Sequence, residues 1–409
     1  MNGYKFVKVS SFYRQFLKDY YSLHPEEKTK PYAEQLSGLM KQAVGWSDFF
    51  AVRLHQLGVD ASEIVFNAMP LQLKWAEENN CPLTGKGIVL EQLARLKPDV
   101  VMFQDSISFN GEWISLLKEK VPSVKLAIGW CCSPIPERLL SEFRAFDFSF
   151  VCSPKFRQDF ENAGLRVYQF YHAFEDSLLP LLETGNTFPD TDFLFSGSII
   201  PGGGFHDIRL SVLEELIRAG IDISIYANIP VLTARDLWMR RSMYIAAKSF
   251  SAMGLEKLAS KLPGLGKALY LESMPSNIDS VITKIAKPPL FGLDMLRALN
   301  KSKTVFNNHG EVAGDYAANI RMFEVTGAGS CLVTDHKNNI NELFEPDKEI
   351  VTYSSTAECI EKVKWLVDHP AERREIAAAG QKRTLSSHTI KHRAGYLHEV
   401  VSGELSSEL

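Results

Sequence analysis

What most limits the fold of this chain is an alternation. Short apolar runs and amphipathic stretches follow one another with little between them, over residues 63–170 and again over 192–379. Strands separated by helices are joined by crossovers, and crossovers build a parallel sheet covered on both faces. In the first stretch Glu63–Ala68, Asp99–Phe103, Val124–Gly129, Phe148–Cys152 and Val167–Phe170 read as strands. Gly87–Lys97, Trp113–Lys120, Glu137–Phe146 and Phe156–Ala163 read as the helices among them. Ile88, Leu90, Leu93 and Leu96 recur near helical spacing, Pro98 stops that helix, and Gly164 suits a helix C-cap.

The pattern restarts after Leu178–Pro189, a stretch without periodicity that reads as a linker. Asp192–Phe195, Ile221–Ala227, Thr304–Asn307 and Cys331–Thr334 are the expected strands. Ile208–Ala219, Ala317–Thr326, Glu358–Asp368 and Ala371–Ala379 are the expected helices. A chain of 409 residues is too long for one ordinary core and suits two.

Composition excludes several classes. The apolar fraction of 45% and charged fraction of 23% are those of a globular chain. A net charge of -4 argues against a general nucleic-acid binder. No apolar run reaches the roughly 20 residues a membrane-spanning helix needs. Met1–Ser10 mixes Lys5 and Lys8 into an apolar run without a cleavage pattern, so no leader is expected and a cytoplasmic location is the default. The cysteines at 81, 131, 132, 152, 331 and 359 form no CxxC pair. No metal site is expected, and adjacent Cys131 and Cys132 read as small buried residues of a reducing compartment.

Ligands of open parallel sheets bind beyond the carboxyl ends of the strands, so chemistry is sought there. After Phe195 comes Ser196-Gly197-Ser198, then Pro201–Gly204 and a helix opened by His206, Asp207 and Arg209. Backbone amides and a helix N-terminus there suit a phosphate, and Arg209 adds charge; a plain glycine-rich turn is the equally weighted alternative. After Phe306 comes Asn307-Asn308-His309-Gly310-Glu311, with Asp315 as an N-cap for the next helix, on which Arg321 and Glu324 lie three apart. A surface ion pair is their bland reading. In the first half Asp105, Trp130–Pro134 and Tyr171-His172 stand at strand tips, where a carboxylate or imidazole is placed for general-base work or merely for a turn.

One block breaks the rhythm. Residues 231–270 hold seven basic and two acidic side chains, a local charge of +5. Met239, Met243, Ala246, Phe250 and Met253 share a helical face opposite Arg241 and Lys248. Core packing is the favoured reading of that stripe, and a membrane-surface or acceptor-docking helix the alternative.

The runs NIRMFEVTGAGSCLVTD (319–335), NELFEPDKEIVTY (341–353) and HPAERREIAAAGQKRTLSSHT (369–389) resemble the C-terminal domain of group-1 glycosyltransferases, nearest the CgeB-like, spore-maturation-protein-like branch. The resemblance is strong over 288–396, moderate over 192–220 and weaker over 98–176. It implies a GT-B fold, an α/β architecture of two Rossmann-like parallel-sheet domains facing across a cleft. The domains would be 1–185, on the acceptor side, and 186–388, on the nucleotide-sugar side, with a basic helical insertion at 231–287. Residues 389–409 would pack back on the first. Carried over by residue, Glu324 resembles the carboxylate that grips the donor ribose. Gly197, with Ser198, and Arg209 resemble the diphosphate contacts, and Phe291-Gly292 falls where the backbone meets the base. Asn308, His309, Glu311 and Arg321 complete the expected donor set.

Two departures stand out. The position eight before Glu324 is Tyr316 where many members have a second glutamate, a place Glu311 would fill. Only Arg209 represents the usual basic pair. The reaction implied is direct displacement of a nucleoside diphosphate by an acceptor hydroxyl without a metal or other cofactor, inverting or retaining, with Asp105 and then His172 as candidate bases. Expected partners are a nucleotide-sugar donor and a glycan, lipid-linked or protein acceptor in surface glycan or polysaccharide biosynthesis. Nucleic acid is not expected, and peripheral contact with the inner membrane surface would run through 231–270. The rival readings are a non-catalytic GT-B-fold assembly protein and a nucleotide-sugar epimerase.

Overall fold

The structure is a computed structural model that describes residues 3–199, 207–227, 229, 232–260, 262, 264–269, 271, 274–275, 280–312 and 314–407. It divides into two compact units. The first comprises Met1–Asn186, Phe291–Leu296 and Lys382–Leu409, and the second Thr187–Leu290 and Arg297–Gln381.

In the first unit β1 (Lys5–Ser10), β2 (Asp60–Val65), β3 (Val100–Phe103), β4 (Leu126–Cys131), β5 (Phe148–Val151) and β6 (Val167–Gln169) form one sheet, in the order β2-β1-β3-β4-β5-β6. Every neighbouring pair is parallel. In the second, β7 (Thr191–Ser196), β8 (Ile223–Tyr226), β9 (Ser302–Asn307), β10 (Cys331–Asp335) and β11 (Val351–Tyr353) run β11-β10-β9-β7-β8, again all parallel. Both sheets thus start in the interior, add the second strand on one side, and reverse to add the third on the other. The reversal falls between β1 and β3 in one unit and between β7 and β9 in the other. The crevice outside the carboxyl ends at such a switch point is where open α/β sheets place ligands.

The helices follow from amphipathic pattern and caps. Asn110 caps Gly111–Lys120 by accepting from the Trp113 N–H, Ser153 caps Pro154–Asn162, and Ser355 caps Thr356–Asp368. Other expectations need correction. Glu137–Phe146 is a short helix, Glu137–Leu140, followed by a 3-10 turn, Ser141–Ala145. The supposed linker contains a helix, Leu179–Glu183, with Pro180 in its first turn, a position where proline needs no donor. The helix expected from Ala317 begins only at Arg321, whose N–H is taken by the Asn319 side chain; Asp315 does not cap it.

Phe291 and Gly292 belong to the first unit, not to the domain assigned them from sequence. Phe291 packs on Tyr13 and Phe16. Gly292 has φ +52°, and a Cβ there would lie 1.9 Å from the Gln42 carbonyl oxygen, so close approach requires glycine. The Leu293 N–H donates to that same oxygen at 2.8 Å. The C-terminal helix Ile390–Ser407 is also part of this unit, with Glu404 accepting from Arg166 and Tyr168 at 2.6 and 2.5 Å.

Strand β1 carries a charge into the core. Lys8 is fully buried, its Nζ 2.9 Å from the Ser47 carbonyl oxygen, 3.1 Å from Glu63 on β2, and 5.8 Å from the centre of the Trp46 ring. Ser10 donates to the same Glu63 oxygen. Burial pulls the Lys8 ammonium down and pushes the Glu63 carboxyl up to about 7, each opposed by the other's charge. Breaking one partner of a buried pair strands the other, which costs about 3–5 kcal/mol, whereas an apolar pair of similar volume is often neutral. Lys8→Met should therefore lose about 3–5 kcal/mol in denaturant unfolding, and Lys8→Met with Glu63→Leu should regain most of it. A double variant no more stable than Lys8→Met would assign the loss to packing rather than to the stranded carboxylate.

Candidate functional site

In the second unit the residues after β9 converge with the ends of β7, β10 and β11. Asn307, the last residue of β9, donates to Thr334 on β10 and accepts from Asn319, both at 2.9 Å. Asn308 donates to the Tyr353 hydroxyl at 2.9 Å and accepts the Gly310 N–H at 2.8 Å. Gly310 has φ +61°, which turns the chain at once. His309 is buried; its N–H and Nδ1 lie 2.9 and 2.7 Å from Asp335 Oδ1, and its Nε2 lies 3.2 Å from Met322 sulfur. Lys337 approaches the other Asp335 oxygen at 3.3 Å. Burial alone would raise the Asp335 carboxyl, but His309 and Lys337 outweigh it and hold it down at about 2. A cavity of about 300 Å³ opens beside these groups, lined by Asn308, Asp335, His336, Lys337, Tyr353 and Ser355 among others.

Arg209, expected to contact a diphosphate, faces inward. It is 6% exposed, and its guanidinium donates twice to the Asn308 carbonyl, at 3.0 and 2.6 Å, and once to the Ser198 carbonyl at 2.9 Å. Burial lowers it to about 10, still cationic at neutral pH. It ties the loop after β7 to the loop after β9 across the switch point. Gly197 donates its N–H to the Tyr226 carbonyl at 3.2 Å. Glu311 accepts the Ile208 N–H at 3.2 Å, in the first turn of the helix Asp207–Arg218, so a carboxylate stands where a phosphate was expected. Its other oxygen is buried without a hydrogen-bond partner. Pro201–Gly204 and His206 of the glycine-rich loop lie outside the described residues.

Glu324 and Arg321 form the ion pair expected from their spacing, at 2.8 Å. It is no solvated surface pair, since the side chains are only 12% and 14% exposed. Burial raises the Glu324 carboxyl, and Arg321 opposes the shift.

The first-half candidates belong to the first unit. Asp105 accepts from the Ser108 N–H and hydroxyl at 3.3 and 2.8 Å and caps a 3-10 turn, Ser106–Ser108. The His172 ring lies 3.1 Å from Cys132 sulfur, and Cys132 is bonded to Cys152, with Cα atoms 5.2 Å apart. The disulfide overturns the reading of Cys132 as a reduced buried residue: strands β4 and β5 are neighbours, and their ends bring the two sulfurs into register. Burial, with the charge of Arg393, takes the His172 imidazolium down to about 3, so the ring is neutral. Such a ring is a weak base.

Within the basic block, helix Ala234–Ala252 buries only Ala247. Trp238, Ile245 and Met253 are exposed by 71, 54 and 61%. The methionine stripe is divided. Met243 sits against Gly264, where a Cβ would come within 2.7 Å of its sulfur, while Met239 and Met253 face outward. Val231 and Tyr270, the ends of the block, lie outside the described residues.

Asp335, Lys337 and Tyr353 were not singled out in the sequence. The signal was present for Asp335, which follows an apolar run as Asn307 does. Tyr353 ends the three-residue β11, too short for a periodic signal.

Residues 271–399, less than half of the chain, match a family described as glycosyl transferase-like. The same stretch holds Asn308, His309, Glu324 and Asp335. No curated protein matches in sequence. Among solved structures, sucrose-phosphate synthase from Thermosynechococcus elongatus aligns with a TM-score of 0.57 at 9% identity, over 99% of this chain and 100% of that one. Anabaena HepE in complex with UDP-glucose aligns with 0.55 at 12%, over 98% and 100%. An α-glucosyltransferase in complex with UDP-glucose and abasic DNA aligns with 0.53 at 10%, over 98% and 100%. The fold is GT-B. Two parallel-sheet α/β units built on one strand order account for it. Among the described residues no helix is long and apolar enough to cross a membrane.

The Asp335 carboxyl, held below its unfolded value near 3.8, contributes stability above that value that is lost as pH falls toward about 2. Asp335→Asn should cost about 2 kcal/mol at neutral pH, and the gap from the native chain should narrow by about 1 kcal/mol as urea midpoints are followed down to about pH 3. A gap that stays constant over that range would mean that the Asp335 charge does not hold the His309 loop.

Proposed function

We propose that this chain is a glycosyltransferase that moves a sugar from a nucleotide-sugar donor to an acceptor hydroxyl. The observation that supports it most is the family match over 271–399, which coincides with the converging strand ends of β9–β11. The UDP-glucose complexes among the structural neighbours support a uridine diphosphate sugar as the first donor to try. Surface glycan synthesis, in the manner of CgeB-like enzymes, is the finer reading.

In this proposal Glu324, held by Arg321, accepts hydrogen bonds from the donor ribose. Arg209 acts through the carbonyls it fixes, setting the Gly197-Ser198 and Asn308-His309 loops in place for the diphosphate. Departure of the nucleoside diphosphate is assisted by backbone amides and protein charge rather than by a metal. Asp105 is the base to test first for an inverting reaction.

Glu324→Ala should fold and lose about 1.5–3 kcal/mol of nucleotide affinity by calorimetry, with Glu324→Gln between it and the native chain. Native affinity in a folded Glu324→Ala would put the ribose elsewhere. Sugar transfer from UDP-glucose, or from the donor a nucleotide panel selects, should persist in EDTA; activity abolished by EDTA and restored by magnesium or manganese would remove the metal-free mechanism. The exposed Trp238, Ile245 and Met253 on a basic helix favour contact with an anionic membrane surface. Co-sedimentation with vesicles should then rise with anionic lipid and fall with salt, and equal pelleting with neutral vesicles would sink that contact.

A further inference from the structure

Three side chains of soft-metal chemistry meet at the carboxyl ends of three adjacent strands of the first unit. Cys132 follows β4, Cys152 follows β5, and His172 lies three residues past the end of β6. Their ligand atoms all lie within 4.8 Å of one another. The group stands apart from the β1–β3 switch point, because the sheet order places β4, β5 and β6 together toward one edge. The reaction proposed above makes no use of this disulfide.

The surroundings hold the imidazole in place. Its ring lies 5.7 Å from that of Trp46 and 5.4 Å from that of Trp130, both buried. Its Nε2 faces Cys132 sulfur at 3.1 Å, and its Nδ1 is sealed from solvent without a hydrogen-bond partner. The backbone carbonyls of Tyr171 and His172 are held by Arg393 at 2.9 and 3.4 Å.

We propose that Cys132, Cys152 and His172 are a redox-gated site for a soft divalent cation of the Zn(II) class. In the oxidised chain the S–S bond occupies both sulfurs and no thiolate is available. A small dithiol reductant delivers two electrons and two protons, the S–S bond breaks, two thiols form, and the reductant leaves as its own disulfide. Binding Zn(II) then releases both thiol protons to solvent. Two thiolates and a neutral imidazole cancel the charge of the ion, which suits a buried place. Zinc–sulfur bonds of about 2.3 Å and zinc–nitrogen bonds of about 2.0 Å put tetrahedral S···N and S···S edges at about 3.5 and 3.8 Å. Cys132 sulfur lies 3.1 Å from the His172 Nε2, inside that S···N edge, and all three ligand atoms lie within 4.8 Å of one another, so the donors need to spread by less than the length of one bond once the S–S bond is broken. Three protein ligands leave the fourth position open to water or to a bound molecule.

The test is titration of the full chain, reduced and oxidised, with Zn(II) and with Co(II), whose thiolate bonds give a visible charge-transfer band. The reduced chain should bind one ion with that band, and the oxidised chain should lack it. Outer-shell partners of a ligating histidine are themselves worth 10–100-fold in affinity, so His172→Gln, which loses the ligand, should weaken binding by more than about 100-fold. Cys152→Ser should abolish the band, and Cys131→Ser should keep it. Equal binding by reduced and oxidised wild-type chain would overturn the proposal without any variant needing to fold. So would a reduced His172→Gln that binds as tightly as the native chain, or a reduced chain that takes up no ion.

Discussion

A parallel strand ends with carbonyl groups that no neighbouring strand can satisfy, and the second unit meets this need at its switch point with one buried cation. Arg209 gathers the carbonyls of Ser198 and Asn308, which leave β7 and β9 where the sheet order reverses. That clamp holds the backbone at Ser198 and at Asn308. It fixes the backbone of Asn308, whose side chain turns to Tyr353 at the end of β11, and so ties the sheet's interior strands to its edge. It also leaves the next residue, His309, where Asp335 at the end of β10 can receive it. A solvent-facing arginine could bind a phosphate directly, but it would leave those carbonyls without a donor, at a cost comparable with a lost hydrogen bond each.

The same logic explains what was legible in the sequence. Apolar runs that end in polar or glycine residues marked nine of the strands, because strands buried on both faces are near-continuous in Val, Ile, Leu and Phe. Strand β1 escaped because Lys8 interrupts its run, and nothing local says that Glu63, fifty-five positions away, will neutralise it. Strand β11 escaped because three residues carry no period. Arg209 and Glu324 were both picked out as charged residues near strand ends, yet their environments differ from those expected. A sequence shows charge and spacing, but not which way a side chain turns, and that is decided by carbonyls and ions contributed from elsewhere in the fold.

Phe291-Gly292 makes the opposite point. A glycine after an aromatic residue, close to a region of strong family likeness, invites a role in binding the base. The positive φ at Gly292 and its approach to the Gln42 carbonyl give it a packing reason that is sufficient alone. The chain crosses into the first unit for six residues and leaves again, and this crossing lies beyond any periodic signal. Where close approach and handedness already demand glycine, its presence carries no further information about a ligand.

Charge placement separates the two sheets. In the first, the buried charges Lys8 and Glu63 sit within paired strands, where each partners the other, Ser10 donates to Glu63 and the Ser47 carbonyl accepts from Lys8. In the second, Arg209, His309, Asp335 and the Arg321–Glu324 pair sit beyond or beside strand ends, where a ligand could replace one of their partners. A pair enclosed in a sheet cannot change partners without opening the ladder that holds it. A pair at the strand ends is not locked into a ladder in that way. Glu324 is the clearest instance: burial raises its carboxyl, Arg321 opposes that shift, and a polar ligand would add to, or share, this acceptor. That makes the second unit, rather than the first, the place where a polar ligand can be bound without breaking the fold.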